Sequence, residues 1–186
     1  MKDLRRTLRH RRGALTDQEQ AAAAEGLSAQ LAHHPALQSA STIAAYLPFD
    51  GEISPLPVMD YWHAAGKSVY LPIVLPGDEL AFRVWHPDAR LSKNRFGIPE
   101  PDGEDTPARE MDVILVPLVG FDAAGNRLGM GKGFYDRTLS GAGSRPQLIG
   151  LAHDCQETDL VPAPWDVPVD MIATGTRLIT CQIPRT

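Results

Sequence analysis

Val113-Ile114-Leu115-Val116-Pro117-Leu118-Val119 and, a few residues later, Gly125-Asn126-Arg127-Leu128-Gly129-Met130-Gly131-Lys132-Gly133-Phe134-Tyr135-Asp136 form the stretch from which the rest of the chain can be read. An apolar run with no polar alternation predicts a strand buried on both faces, as in a parallel sheet. The segment from Phe134 to Leu139 predicts a short helix. Strand, glycine loop and helix is the order a phosphate site uses. Glycines at 129, 131 and 133 allow positive φ and a close approach, with several N–H groups pointing one way. A helix starting near Gly133 adds its positive dipole end, and Arg127 and Lys132 add full charges. Asp136, one turn in, can hold a magnesium ion against phosphate oxygens. The spacing is neither G-x-x-x-x-G-K-[ST] nor G-x-G-x-x-G. The alternative is an ordinary glycine turn with solvated cations, although three alternate glycines, two cations and a Phe-Tyr-Asp tail exceed what a turn requires.

Upstream, Leu4, Leu8 and Leu15 fall on nearly one helical face with Arg5, Arg9 and Arg12 around it, so residues 2–14 predict an amphipathic helix. Its basic side is either solvated or serves something local. Thr16-Asp17-Gln18-Glu19 is a capping box that opens a second helix, running to Leu31 and ending before Pro35. Residues 41–47 predict the first strand, stopped by Pro48. The turn Phe49-Asp50-Gly51-Glu52-Ile53 then sets an acid at that strand's carboxyl end, where open α/β sheets bind ligands. Glu52 either accepts hydrogen bonds from a ligand or caps the next helix. That helix, 55–65, turns Leu56, Met59 and Trp62 inward, leaves His63 on its outer side, and closes at Gly66.

Residues 69–74 form the next strand. Residues 79–85 alternate Leu80, Phe82 and Val84 against Ala81, Arg83 and Trp85, predicting a half-exposed antiparallel or edge strand. Trp85 and His86 either cover a pocket or simply pack. Residues 86–110 have no sustained period, and read as a binding loop or a mobile connector. Within them, 96–101 are apolar enough to lie on a flat ligand. Strands at 146–152, 171–174 and 177–183 complete an alternating pattern that implies one α/β domain over residues 1–186, a mainly parallel sheet with helices on both sides.

The bulk composition narrows the function classes. With 186 residues, 43% hydrophobic and 22% charged, the chain can bury a substantial core in one domain. No signal peptide or membrane-spanning run is present, so the expected address is the cytoplasm, with no membrane partner. Cys155 and Cys181 are too few for a disulfide framework or zinc site. Residues 1–12 hold six Lys/Arg and one Asp, a local +5 against a total of −5, which leaves −5 − 5 = −10 elsewhere. Such a contrast argues against a nucleic-acid partner.

These motifs together resemble the 5-formyltetrahydrofolate cyclo-ligase family over nearly the whole length. The most specific element is Arg127 to Asp136, preceded by Pro117-Leu118-Val119-Gly120-Phe121-Asp122 and Gly125. Tyr46-Leu47 with Gly51-Glu52-Ile53, Ile98-Pro99-Glu100-Pro101, Trp165-Asp166-Val167-Pro168-Val169-Asp170 and the basic opening helix follow in the family's order. The resemblance implies a three-layer α/β/α fold and a monomeric enzyme that closes 5-formyltetrahydrofolate to 5,10-methenyltetrahydrofolate, with ATP as co-substrate and magnesium as cofactor. Arg127, Leu128, Gly129, Met130, Gly131, Lys132, Gly133, Phe134 and Tyr135 would hold ATP, with Lys2, Arg5 and Arg6 contributing from the opening helix. There, Lys2 with Arg6 and Arg5 with Arg9 both fit the family's cation spacing. Lys132 and Arg127 would be catalytic. Leu47, Glu52 and Phe96, with Met130 to Phe134, would line the folate side, and Asp136 and Asp166 would bind magnesium. A sugar-phosphate isomerase or a kinase would also use the glycine loop, but would leave Glu52, Phe96 and Asp166 without a shared purpose.

Overall fold

The computed structural model describes residues 1–140 and 145–181. In chain order its elements are α1 (Lys2–Gly13), α2 (Asp17–Leu31), α3 (Pro35–Ser39), β1 (Thr42–Ala44), α4 (Leu56–Ala64), β2 (Ser68–Val74) and β3 (Leu80–Trp85). There follow β4 (Leu91–Lys93), β5 (Pro99–Pro101), β6 (Thr106–Pro107), β7 (Val113–Pro117), β8 (Gly120–Phe121) and β9 (Arg127–Leu128). The chain closes with α5 (Phe134–Leu139), β10 (Gln147–Leu151), β11 (Met171–Ala173) and β12 (Leu178–Thr180).

One sheet of order β12-β11-β10-β7-β1-β2-β3-β6 spans the molecule. Its five central strands, β11 to β2, are parallel, and the outer pairings are antiparallel. Alternate residues of each central strand enter two different cores: Ile43, Val113, Leu115, Ile149 and Met171 pack with α2 and α4, whereas Ala44, Ile114, Val116, Leu148 and Ile172 pack with Leu139 of α5. Burial on both faces explains why the strands read as continuous apolar runs. The two helical layers are unequal, because α5 has six residues and irregular chain covers much of its side.

The chain leaves β1 through α4 on one face, and leaves β7 through α5 on the other. The switch point of the sheet therefore lies between β1 and β7, where the loops after the two strands diverge and leave a crevice. Those loops are 45–55 and 118–133, so Glu52 and the glycines come to the same edge.

Several expectations need correction. The first strand is only Thr42–Ala44, because the backbone turns away after Ala45: the Tyr46 phenol donates to the Ile53 carbonyl at 2.7 Å, and the Glu52 N–H donates to Phe49 O at 3.1 Å. The strand expected over 113–119 stops at Pro117, and a two-stranded ribbon, β8–β9, stands between it and the glycine loop. Residues 86–110 are not irregular. They hold the β4–β5 hairpin and β6, with prolines at edge positions whose missing N–H costs no ladder bond. Leu80, Ala81, Phe82 and Trp85 are all buried and only Val84 is well exposed, so β3 is not half-open. The short helix α3, entered by Pro35 at its first position, was not expected. The last strand is Leu178–Thr180, and residues 182–183 of its expected range lie outside the described residues. The capping box at Thr16 is present, with Glu19 N–H donating to Thr16 Oγ1. Both cysteines are free, and no helix among the described residues is long and apolar enough to cross a membrane.

Helix α2 meets the turn between β11 and β12 backbone to backbone at Gly26. A Cβ there would stand 2.0 Å from the Gly175 carbonyl oxygen. Gly26→Ala should lower unfolding free energy by about 1–3 kcal/mol, the usual cost of overpacking; an unchanged urea midpoint would show that α2 can slide.

Candidate functional site

The site is built where α1 lies across the glycine loop. Leu8 is fully buried and packs with Val119 and Leu128, which pins the helix on the β8–β9 ribbon. A Cβ on Gly120 would stand 2.6 Å from Leu8 Cδ1, so the close approach depends on that glycine. One turn earlier, the Arg5 Nε–H donates to the Gly129 carbonyl at 2.8 Å. Its guanidinium carbon would lie 3.4 Å from a Cβ at Gly131, whose φ is +90°. Arg5 therefore rests against the loop beside Gly131, whose positive φ favours glycine.

Between helix and loop is a cavity of about 830 Å³, its lining including Lys2, Arg5, Arg6, Arg9 and His10, two acids, Asp3 and Asp50, and Met130 and Gly131, so that four Lys/Arg outnumber the acids. Its volume suits a nucleotide-sized ligand, and its charge suits phosphate. Of the residues marked out in the sequence, Lys2, Arg5, Arg6, Met130 and Gly131 meet here. Arg9, His10 and Asp50 join them. Arg9 was legible from its spacing to Arg5, whereas nothing in the sequence marked His10 and Asp50 as cavity residues.

Lys132 lies apart from this cavity lining. It is exposed, and its Nζ stands 5.6 Å from the centroid of the Phe96 ring. Phe96 is also 5.7 Å from the Phe134 ring and lies under the Arg95 guanidinium. The hairpin tip is held there by Asn94, whose Oδ1 accepts from the Phe96 and Ile98 N–H groups. Asn94 also donates to Glu100 Oε1, which in turn accepts the N–H of Val74 at the end of β2. The glycine loop is thus flanked by two surfaces, a basic one from α1 and an aromatic one from the β4–β5 hairpin.

Arg127 and Asp136 face each other rather than open space. Arg127 donates through Nη2 to Asp136 Oδ1 and through Nε to the Val167 carbonyl, and its side chain is 5% exposed. Asp136 Oδ1 also accepts the Val167 N–H at 3.2 Å, which brings the segment containing Asp166 beside it. Asp166 Oδ2 accepts the Ala163 N–H. Each carboxylate keeps one oxygen without a hydrogen-bond partner among the described residues, and no cluster of three or more candidate metal ligands occurs among them. Two carboxylates with free oxygens fit a magnesium ion that takes its other ligands from phosphate and water. A smaller cavity, about 320 Å³, opens at this point, lined by Gly133, Asp136, Arg137, Ser140 and Trp165.

On the far side of the crevice Glu52 is nearly enclosed, its side chain 10% exposed. It does not cap α4, whose first N–H, that of Leu56, donates to Ser54 Oγ instead; its Oε2 accepts the Phe49 N–H at 3.1 Å. Burial pushes its carboxyl up from 4.5, with the Arg12 guanidinium opposing. The phenols of Tyr46 and Tyr135 are pushed up by burial and then by the Glu52 charge. Leu47, half-buried, packs against the main core beside Tyr46.

Arg12 corrects the idea that the basic face of α1 is wholly solvated: it is fully buried. Behind it, His153 is 3% exposed, and its Nε2 has no hydrogen-bond partner among the described residues. Burial holds this imidazole below its ordinary 6.5; the nearby Gly51 carbonyl pulls the other way without meeting hydrogen-bond geometry. The unfolded chain therefore takes up the proton first, so the stability that neutral His153 contributes above 6.5 is lost as pH falls. Unfolding free energy should drop as pH falls through and below 6.5, and His153→Gln should flatten that slope; identical slopes would remove His153 as the cause.

Parallel strands, a switch-point crevice and a basic cavity against a glycine loop define the class by its fold: an α/β protein whose candidate site lies at the carboxyl edge of its sheet. Comparison with known proteins gives the particular family. The sequence profile of the 5-formyltetrahydrofolate cyclo-ligase family matches residues 1–175. The 5-formyltetrahydrofolate cyclo-ligase of Escherichia coli K12 is 39% identical over 178 residues, covering 92% of this chain and 98% of the relative. That of Haemophilus influenzae is 37% identical over 179 residues, covering 92% and 96%. Among solved structures, the 5,10-methenyltetrahydrofolate synthetase of Aquifex aeolicus superposes with a TM-score of 0.84 at 32% identity, over 100% of this chain and 94% of that one. The chain belongs to the 5-formyltetrahydrofolate cyclo-ligase family and is a ligase.

Proposed function

We propose that this chain binds ATP between α1 and the glycine loop and uses it to close 5-formyltetrahydrofolate to 5,10-methenyltetrahydrofolate. The observation that carries the reading is Arg5 on the loop, hydrogen-bonded to Gly129 and close against Gly131, because it joins two sequence-distant motifs into one cationic surface.

An N-formyl group is a poor electrophile, since nitrogen donates into its carbonyl. If the formyl oxygen attacks the γ-phosphorus, the bond to ADP breaks and the oxygen becomes part of a leaving group. The carbon is then iminium-like. The second folate nitrogen attacks it, loses its proton and expels phosphate through C–O cleavage. The protein's part is positioning and charge stabilisation. Arg5, with Lys2, Arg6 and the loop N–H groups from Gly129 to Gly133, would hold the phosphates. Lys132, free to turn from Phe96, would meet the transferred phosphoryl group. Arg127 would act by fixing Asp136, and Leu128 and Tyr135 by shaping the loop from below. Phe96 and Phe134 would cover one face of the folate, Leu47 and Met130 would border it, and Glu52 would accept its pterin N–H groups. Magnesium, held by Asp136 and Asp166, would spread the phosphate charge. We read the protein as one domain over residues 1–186 and as a monomer.

The test is an absorbance assay of purified protein with 5-formyltetrahydrofolate, magnesium and ATP. ATP-dependent growth of the near-ultraviolet methenyl band is expected. Folded protein that binds ATP but makes no product would keep the phosphate site and overturn the folate assignment.

A further inference from the structure

We propose that Arg12 is a positioning residue for the folate: through the Asp50–Glu52 turn it fixes Glu52 in place and in its charged form, tying α1 to the substrate side of the crevice. The proposal rests on the role given to Glu52 above.

Arg12 has no solvent exposure, and its fork is filled from three directions. Nε–H donates to the Asp50 carbonyl at 2.8 Å, Nη2 to Asp50 Oδ2 at 2.9 Å, and Nη1 to the Leu118 carbonyl at 3.2 Å. Leu118 follows β7 and Asp50 lies in the loop after β1, so the guanidinium bolts together the two loops that diverge at the switch point. The same Nη2 stands 3.8 Å from Glu52 Oε1. A lysine could supply the charge but not three directed bonds from a planar group.

The turn it grips is left-handed: Asp50 has φ +54° and Gly51 φ +74°, a region aspartate enters at modest cost. Arg12 holds it there through both the carbonyl and the carboxylate of Asp50. Gln20 adds a second hold, donating from Nε2 to the carbonyls of Arg12 and Gly51. Arg9, which lines the nucleotide cavity, shares Asp50 Oδ2 at 2.6 Å.

Charge follows from the same geometry. The groups facing Glu52 are Arg12 from α1, Asp50 from its own loop, Tyr46 after β1 and Tyr135 from α5; His153 faces Arg12 from the turn after β10. Arg12 is the sole cation in that set. Without it a nearly enclosed carboxylate sits among phenols and another acid, and takes up a proton. A protonated Glu52 accepts fewer hydrogen bonds from the pterin.

Equilibrium binding of 5-formyltetrahydrofolate without ATP tests this through a double-mutant cycle. Glu52→Gln and Arg12→Met should each weaken binding about tenfold or more, and the double variant should be within about twofold of Glu52→Gln alone. In Arg12→Met the acid limb of the affinity profile should move to higher pH. Losses that multiply, or an Arg12→Met affinity equal to wild type, would overturn the proposal. If Arg12→Met does not fold, Arg12→Lys serves instead, since lysine keeps the charge but loses the directed bonds to the turn: binding should fall at least threefold, and not at all in the Glu52→Gln background. Equal losses in both backgrounds would overturn the proposal alone, whereas wild-type protein that binds no 5-formyltetrahydrofolate would overturn the substrate reading beneath it.

Discussion

Replacing Arg5 by alanine should lower kcat/KM for ATP about a hundredfold, the effect of losing one preorganised cation, ~3 kcal/mol, where phosphate charge develops. The same change removes the hydrogen bond to Gly129, so the loop loses an anchor as well as a charge, and both kcat and KM should move. Lys132→Ala should also lower turnover, but by less, about tenfold, because its ammonium stands over Phe96 rather than among the cavity cations. Steady-state kinetics with ATP varied at saturating folate would rank the two. A reversed order would mean that Lys132 swings into the cavity when ATP binds. Thermal unfolding of both variants should stay within a few degrees of wild type, since neither side chain belongs to a hydrophobic core.

Glu52→Gln should separate stability from function. The carboxyl of Glu52 is raised in the folded protein, so its contribution to stability is present at low pH and is lost as pH rises through the folded value. At neutral pH the ionised form therefore works against folding. Glutamine removes that penalty, and the unfolding midpoint at pH 7 should equal or exceed that of wild type. Folate affinity should fall about tenfold or more, as a charged acceptor is replaced by a neutral one. A variant that binds folate as well as wild type would exclude Glu52 from the pterin; one that unfolds earlier would mean that the Arg12 contact outweighs desolvation.

The general architecture was legible because double-sided burial writes itself into sequence. Val113 to Val116 and Leu148 to Leu151 could hardly be anything but central strands, and the acid turn after β1 pointed to the right edge of the sheet. Short elements left less trace: β8 and β9 have two residues each, too few to display a period. The β4–β5 hairpin was hidden by prolines, which argue against a strand until its edge position is known. In the candidate site, the glycine spacing announced a loop of unusual geometry. What lay opposite could not be read locally, because Arg5 and Gly129 are 124 positions apart. Arg12 was the least visible: among the six Lys/Arg of residues 2–12 nothing distinguishes the one whose guanidinium becomes fully buried. The Arg127–Asp136 pair was likewise hidden, since each residue alone reads as a ligand for something charged.

That same separation bears on how the protein is made. Helix α1 leaves the ribosome well before the ribbon and loop on which Leu8 and Arg5 will rest. At ~5–20 residues per second, 124 residues of further synthesis take roughly 6–25 s. Throughout that interval Leu8 and Arg5 lack the surface on which they will rest, although Asp50, which pairs with Arg9 and Arg12, follows them far sooner. Assembly of the nucleotide cavity is thus a late event in biosynthesis, gated by translation rather than by local helix formation, which takes about a microsecond or less.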